Sequence, residues 1–384
     1  MSTDPIYLDY NASAPLDPAV REAMAPYLEA MFGNSRSGHT HGTRLKAAVE
    51  VARTQVAAML GAEPDEIIFT SGGSEANNLA VKGLAWAYPD RRHLVCSALE
   101  HYSVAYACDF LATQGREVSV VGVDGLGRVD AAEVGRVLRP DTLLVAVQHA
   151  NNEIGTVQEV AAIAEEAHAR GALVHCDAAQ SVGKLQVDVN LLRVDTLAIA
   201  GHKFCGPQGI GALYRRRGVE LVPLIHGAGH EDGLRSGTHA AALIVGLGEA
   251  CALVTRRLMA DSDRMSILRD RLYERLKAEV PTLHLNGDPT NRLPHTLNVS
   301  FPGLDGSDVL AQAPEVAATT GAACHSGSRE PSAALKAIAA PLPIGLGAVR
   351  LSLGRHTTEA DVDAAARHLA AAARTLYETA GQPI

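Results

Sequence analysis

The sequence predicts an α/β protein: a large domain with a mostly parallel sheet covered on both faces, and a second, smaller α/β domain. Three observations carry this. Between about residues 65 and 215, short apolar runs alternate with amphipathic segments, the pattern of strands separated by crossover helices. Each polar, Gly-containing motif in that stretch directly follows an apolar run, where open α/β sheets bind ligands. The chain has 384 residues, 47% of them hydrophobic and 20% charged, enough for two cores.

The strand candidates are Glu66–Thr70, His93–Ser97, Glu117–Val121, Leu143–Gln148, Ala172–Cys176, Asp195–Ala200 and Gly211–Tyr214. Between them the 3.6-residue periodicity predicts helices over Glu75–Ala87, Ser103–Gln114, Ala131–Leu138 and Glu159–Arg170. A long helix over about His239 to Val280 leads into the smaller domain. There, strands are expected near Thr296–Phe301 and Val349–Leu353, and a last helix near Thr358–Leu376. The large domain is placed at 12–258, the smaller one at 1–11 with 259–384.

The net charge of −9, without long runs of one sign, argues against nucleic acid as a primary partner. No apolar run reaches membrane-spanning length, and the first residues, Met1-Ser-Thr-Asp-Pro5, lack a signal-like apolar core. The six cysteines form no CxxC pair. That argues against a disulfide framework or a metal site and fits a reducing, cytoplasmic setting.

Lys203 follows the run Thr196–Ala200, and Asp177 closes Ala172–Cys176. An amine and a carboxylate, each at the end of a predicted strand, suit pyridoxal 5'-phosphate (PLP). The amine forms a Schiff base, and the acid keeps the pyridine nitrogen protonated. The same residues also suit ordinary loop starts. Phe69-Thr-Ser-Gly-Gly-Ser74-Glu75 reads as strand, Gly-rich turn and helix start, able to hold a phosphate or simply to cap a helix. His101 is placed to stack on a planar ring and move protons, or to start a helix. Asn151-Asn152-Glu153 offers amides to a cofactor hydroxyl, or forms a turn. Gly206-Pro-Gln-Gly-Ile-Gly211 opens no long helix, so a dinucleotide loop is rejected.

Together with Tyr7-Leu-Asp-Tyr-Asn11-Ala, Gly33-Asn34, Ser37-Gly-His39, Glu100-His101, Asn151-Asn-Glu-Ile-Gly155, Asp177-Ala-Ala-Gln180, Gly201-His-Lys203 and Arg235-Ser-Gly-Thr238, these motifs resemble the NifS-type cysteine desulfurases. Those are PLP enzymes of the class V aminotransferase group. The resemblance implies a fold type I PLP-dependent transferase, acting as a homodimer with its site at the subunit boundary. It implies that Lys203 is the Schiff-base lysine, Asp177 the pyridine partner and His101 the residue stacked on the ring. Asn152 and Gln180 match ring-hydroxyl contacts, and Gly73, Ser74 and His202 match phosphate contacts. Thr238 matches a phosphate contact from the neighbouring subunit. Ala200 stands where many relatives have a phosphate-binding serine, and Ser35-Arg36 replaces a common Pro-Ser.

Cys324 lies in the small-residue segment Ala318-Thr-Thr-Gly-Ala-Ala-Cys324-His325. It suits a reachable thiol beside a histidine that favours the thiolate, or an incidental loop cysteine. The resemblance implies the first: a nucleophile that takes sulfur from L-cysteine as a persulfide, leaves L-alanine, and passes sulfur to an acceptor protein. Arg350 matches the residue that grips the substrate carboxylate, where a planar fork suits bidentate binding, and Asn11 matches a second contact. The alternative is a selenocysteine lyase acting on L-selenocysteine, which Gly321-Ala-Ala-Cys-His-Ser326 also resembles. A PLP aminotransferase or epimerase is the further rival. The short tail ending at Gly381-Gln-Pro-Ile384 gives weaker grounds for docking to an iron–sulfur scaffold.

Overall fold

The computed structural model describes residues 4–321 and 330–381. The chain opens with β1 (Ile6–Tyr7), α1 (Pro18–Glu29) and α2 (Thr40–Leu60). The alternation expected from the sequence then follows: β2 (Ile67–Thr70), α3 (Gly73–Ala87), β3 (His93–Ser97), α4 (Tyr102–Thr113), β4 (Glu117–Val121), α5 (Ala131–Val137), β5 (Thr142–Gln148), α6 (Val160–His168), β6 (Leu173–Asp177), α7 (Val189–Leu192), β7 (Thr196–Ala200) and β8 (Gly211–Arg215).

These strands form one seven-stranded sheet in the order β2-β8-β7-β6-β5-β3-β4. Only β8 runs against its neighbours; the other pairings are parallel. The α/β class with a mostly parallel sheet is thus as expected. Strands β5 and β7 are buried along their whole length, because helices cover both faces. Each fully buried leucine there, such as Leu143 or Leu144, contributes about 1.5–3 kcal/mol. β4 departs from the fully apolar expectation: it is the sheet edge, and Val120 is 62% exposed.

A second core lies around β9 (His284–Leu285), β10 (Thr296–Ser300), α9 (Gly306–Ala311), β11 (Val316–Ala317), β12 (Ala348–Ser352) and α12 (Glu359–Ala380); between β11 and β12, α10 (Ala333–Ala337) packs Ala334 and Leu335 with Leu99 and Ile154, and α11 (Leu342–Leu346) follows it. Strands β12, β10 and β9 form an antiparallel sheet, and β1 pairs with β11. Through that pairing Leu8 joins the second core with Leu297, Leu351 and Leu369.

The 39-residue α8 (Ala241–Glu279) spans the two cores. Its first half buries Leu247, Cys251 and Val254 with the large sheet, and its second half buries Leu268, Leu272 and Leu276 with the small one. The five described cysteines are free and buried. No helix of the described residues is long and apolar enough to cross a membrane.

Candidate active site

The carboxyl ends of β2, β3, β5, β6 and β7 open on one side of the sheet and line a pocket of about 300 Å³. Its walls include Asn11, Gly73, Ser74, His101, Asn152, Asp177, Gln180, His202, Lys203 and Arg350. Ten of the twelve sequence-derived candidates therefore meet in one cavity, from segments far apart in the chain. Thr238 is exposed and does not line it. Cys324 lies outside the described residues. A larger cavity of about 810 Å³, lined by residues such as Arg36, Lys46, Arg53 and His239, contains none of the strand-end motifs.

Lys203 sits in a tight 3-10 turn, Gly201–Phe204, that leaves β7 directly. The turn closes on Cys205 with φ 65°, a left-handed conformation that costs a non-glycine residue about 1–3 kcal/mol. Lys184 braces this turn: its buried Nζ donates to the Lys203 carbonyl at 2.5 Å. Burial lowers the Lys184 pKa to about 7. The Lys203 amine donates to the carbonyls of Asn11 (2.6 Å) and Ala12 (3.0 Å). Burial, then the Arg350 charge, lowers its pKa to about 8, against the opposing pull of Asp177 and Asp9. A fraction of the amine is therefore neutral and nucleophilic near physiological pH.

Asp177 ends β6. Its Oδ1 accepts from the Ala179 N–H at 2.9 Å and its Oδ2 from Asn77 Nδ2 at 2.7 Å. His101 caps α4, its Nδ1 accepting from the Ser103 N–H at 3.2 Å. Burial and the Lys203 charge push His202 down to about 4, so it is a neutral N–H donor. Ser74 lies in the first turn of α3, where free backbone N–H groups favour an anion. At the turn before it, Gly72 has φ 152°, and a Cβ on Gly211 of β8 would fall 2.7 Å from the Gly72 backbone carbon. Two glycines thus let strand and turn approach closely.

Arg350 is 7% exposed. Its Nη2 donates to Asp9 Oδ1 at 2.7 Å and its Nη1 to the Asn152 carbonyl at 3.0 Å. Among the described residues, its Nε is buried without a partner, as is Gln180 Oε1. A buried polar atom without a partner calls for one, and in the wall of a pocket a ligand's polar group can supply it. Asn11 differs: its Nδ2 already donates to the Asn152 carbonyl (3.0 Å) and Thr296 Oγ1 (2.9 Å).

The sequence reading missed three contributors. Lys184 and Asn77 touch candidates from behind, and Asp9 holds Arg350. It also missed a buried network beside the larger cavity. Glu231 accepts two bonds from Arg53 (both 2.8 Å), one from the Phe69 N–H (2.8 Å) and one in its contact with His239 (2.7 Å). His239 in turn meets Ser35 Oγ at 2.8 Å. These partners are distant in sequence and carry no local signature.

The Aminotransferase class-V family model matches residues 6–365. The chain belongs to the class V aminotransferase family. Among similar proteins, a relative named cysteine desulfurase IscS from Pectobacterium carotovorum is 43% identical over 365 residues, covering 94% of this chain and 90% of that protein. One of the same name from Dictyoglomus turgidum is 41% identical, covering 93% and 92%. A solved structure described as a NifS-like protein superposes with a TM-score of 0.90 at 34% identity, covering 97% of this chain and 100% of that one. Another, described as SspA in complex with cysteine, has a TM-score of 0.81 at 37% identity, covering 92% and 99%.

Proposed function

We propose that this chain is a PLP-dependent cysteine desulfurase. It converts L-cysteine to L-alanine and carries the sulfur as a persulfide on Cys324 to an acceptor protein. The observation that carries the reading is the single 300 Å³ pocket that holds Lys203, Asp177 and Arg350 together. The names of the relatives favour sulfur over selenium as substrate.

The residues present fit the cofactor. Gln180, whose buried Oε1 has no partner among the described residues, lines a pocket with room for a flat ring. At the phosphate end, a Cβ on Gly73 would stand 3.3 Å from the Ala200 Cβ, so glycine keeps the cradle open. Lys203 would hold the cofactor covalently, Asp177 its ring nitrogen, and Asn152 and Gln180 its hydroxyl. Gly73, Ser74 and His202 would hold its phosphate. The exposed Thr238 of a second copy would add a contact in a homodimer. Bound there, PLP supplies an electron sink for the carbanion formed at the substrate α-carbon.

The rest of the chemistry belongs to the chain. Arg350 grips the substrate carboxylate with its free Nε and remaining Nη hydrogens. Asn11 can join only by exchanging one of its present bonds. Lys203, with its depressed pKa, takes the α-proton and returns it. His101 caps the ring face and exchanges protons at substrate. The Cys324 thiolate attacks the substrate sulfur: the S–S bond forms as the Cβ–S bond breaks, the electron pair of that bond stays with Cβ, and a proton added there completes the methyl group of alanine.

The test is direct. Purified protein given PLP should show a visible band bleached by borohydride. Incubation with cysteine should yield alanine and a Cys324 persulfide by mass spectrometry, faster than selenocysteine yields selenide. A colourless protein, or alanine without modified Cys324, would overturn the reading.

A further inference from the structure

Both the acid and the histidine of the pocket are oriented from behind by one side-chain amide. Asn77, on α3 and 1% exposed, donates from Nδ2 to Asp177 Oδ2 at 2.7 Å and to Ser103 Oγ at 2.8 Å. Both amide hydrogens are thereby used, and Oδ1 is left as an acceptor. His175 Nε2 lies 3.0 Å from that oxygen, so it carries a hydrogen. His175 Nδ1 is 2.9 Å from Thr196 Oγ1 and, in the neutral ring, accepts from that hydroxyl.

Full burial, against the pull of the Asp177 charge, lowers the His175 pKa to about 4, so the ring stays neutral at physiological pH. The groups facing it are Thr196 on β7, Asn77 on α3, and Asp177 beyond Cys176 on its own strand. On the other side, Ser103 Oγ accepts from Asn77 and donates to His101 Nδ1 at 2.7 Å. The donors thus run in one direction: Thr196 to His175, His175 to Asn77, then Asn77 both to Asp177 and, through Ser103, to His101.

We propose that Asn77, its amide held in one orientation by His175, is a positioning residue that fixes the Asp177 carboxylate as an acceptor and His101 in its Nε2–H tautomer. This rests on the roles given to Asp177 and His101 under the proposed function. The geometry is specific. A flipped amide would aim Oδ1 at the Asp177 carboxylate, two acceptors with no hydrogen between them. His175 prevents this because its Nε2–H needs Oδ1. Each Asp177 oxygen accepts one protein bond here, which leaves lone pairs for a ligand N–H.

The test uses the PLP-loaded protein with ¹⁵N in the cofactor ring. The ring-nitrogen chemical shift reports protonation, the histidine ¹⁵N shifts report the His101 tautomer, and equilibrium dialysis gives the PLP dissociation constant. Asp177→Asn should lose ring-nitrogen protonation. Asn77→Leu should move the ring signal in the same direction, broaden the His101 signals towards mixed tautomers, and weaken PLP about 10- to 100-fold, as losing a bond to a charged group predicts. His175→Leu should do the same more weakly, and His175→Gln, which restores an N–H donor, should recover wild-type signals.

A folded Asn77→Leu with wild-type ring and His101 signals, while Asp177→Asn changes them, would overturn the proposal and spare the role of Asp177. An Asp177→Asn protein that keeps its ring nitrogen protonated would instead overturn the underlying reading. The two His175 variants repeat the comparison at a second position. Equal behaviour of the pair would count against the proposal.

Discussion

Replacing Arg350 with alanine isolates the carboxylate clamp. Arg350 is nearly buried, its Nε has no partner among the described residues, and one hydrogen of each Nη is held, by the Asn152 carbonyl and by Asp9. Truncating one member of a desolvated, hydrogen-bonded charge pair costs about 2–5 kcal/mol. The lower part of that range applies, because Asp9 is left unpaired but is 22% exposed, so water can solvate it. About 2–3 kcal/mol corresponds to roughly a 30- to 150-fold fall in kcat/KM for cysteine. The fall should appear mainly in KM, since the contact forms with the ground-state substrate. The assay is sulfide release over a range of cysteine concentrations, with cysteamine, which lacks the carboxylate, as a parallel substrate. Wild type and Arg350→Ala should handle cysteamine alike. An equal loss on both substrates would refute the carboxylate role and make Arg350 a pocket-shaping residue.

Lys203→Ala should bind PLP without the borohydride-sensitive band and show no turnover; retained alanine formation would remove the lysine from its role. Cys324→Ala should keep that band yet lose persulfide formation, read by mass spectrometry after cysteine addition. In the cofactor-free protein, acylation of the Lys203 amine should rise through about pH 8 rather than near 10.5, and Arg350→Ala should move that midpoint upward by removing a like charge. Glu231 is lowered from 4.5 to about 2, its bonds to Arg53 and His239 outweighing burial. Its folded pKa lies below its unfolded one, so its stabilisation is present above about pH 4.5 and disappears as pH falls towards 2. The full effect is about 3 kcal/mol, measured as a steeper acid loss in urea denaturation of wild type than of Glu231→Gln. Parallel curves would exclude it.

The fold could be read because its elements carry local signals. Buried strands such as β5 and β7 are apolar along their length, and the helices between them keep the 3.6-residue period. The alternation read from the sequence begins at residue 65, so it left α1 and α2 unassigned. α2 places Arg53 on its buried face, where the apolar stripe is interrupted by a charge whose partner, Glu231, lies 178 residues away. The pocket was legible to the extent that its members sit in strand-end motifs. Lys203, Asp177 and His101 each directly follow an apolar run or its turn. The supporting shell was not. Asn77 sits mid-helix, where asparagine has no distinctive pattern, and Lys184 looks like a surface lysine until the turn at Lys203 folds over it. Such residues act through contacts that only the assembled sheet creates.

Because α8 packs into both cores, neither half can melt while the other keeps its share of that rod intact. Heating should therefore give one calorimetric transition, and a proline placed near its middle, for example at Met259, which is 71% exposed, should split it in two.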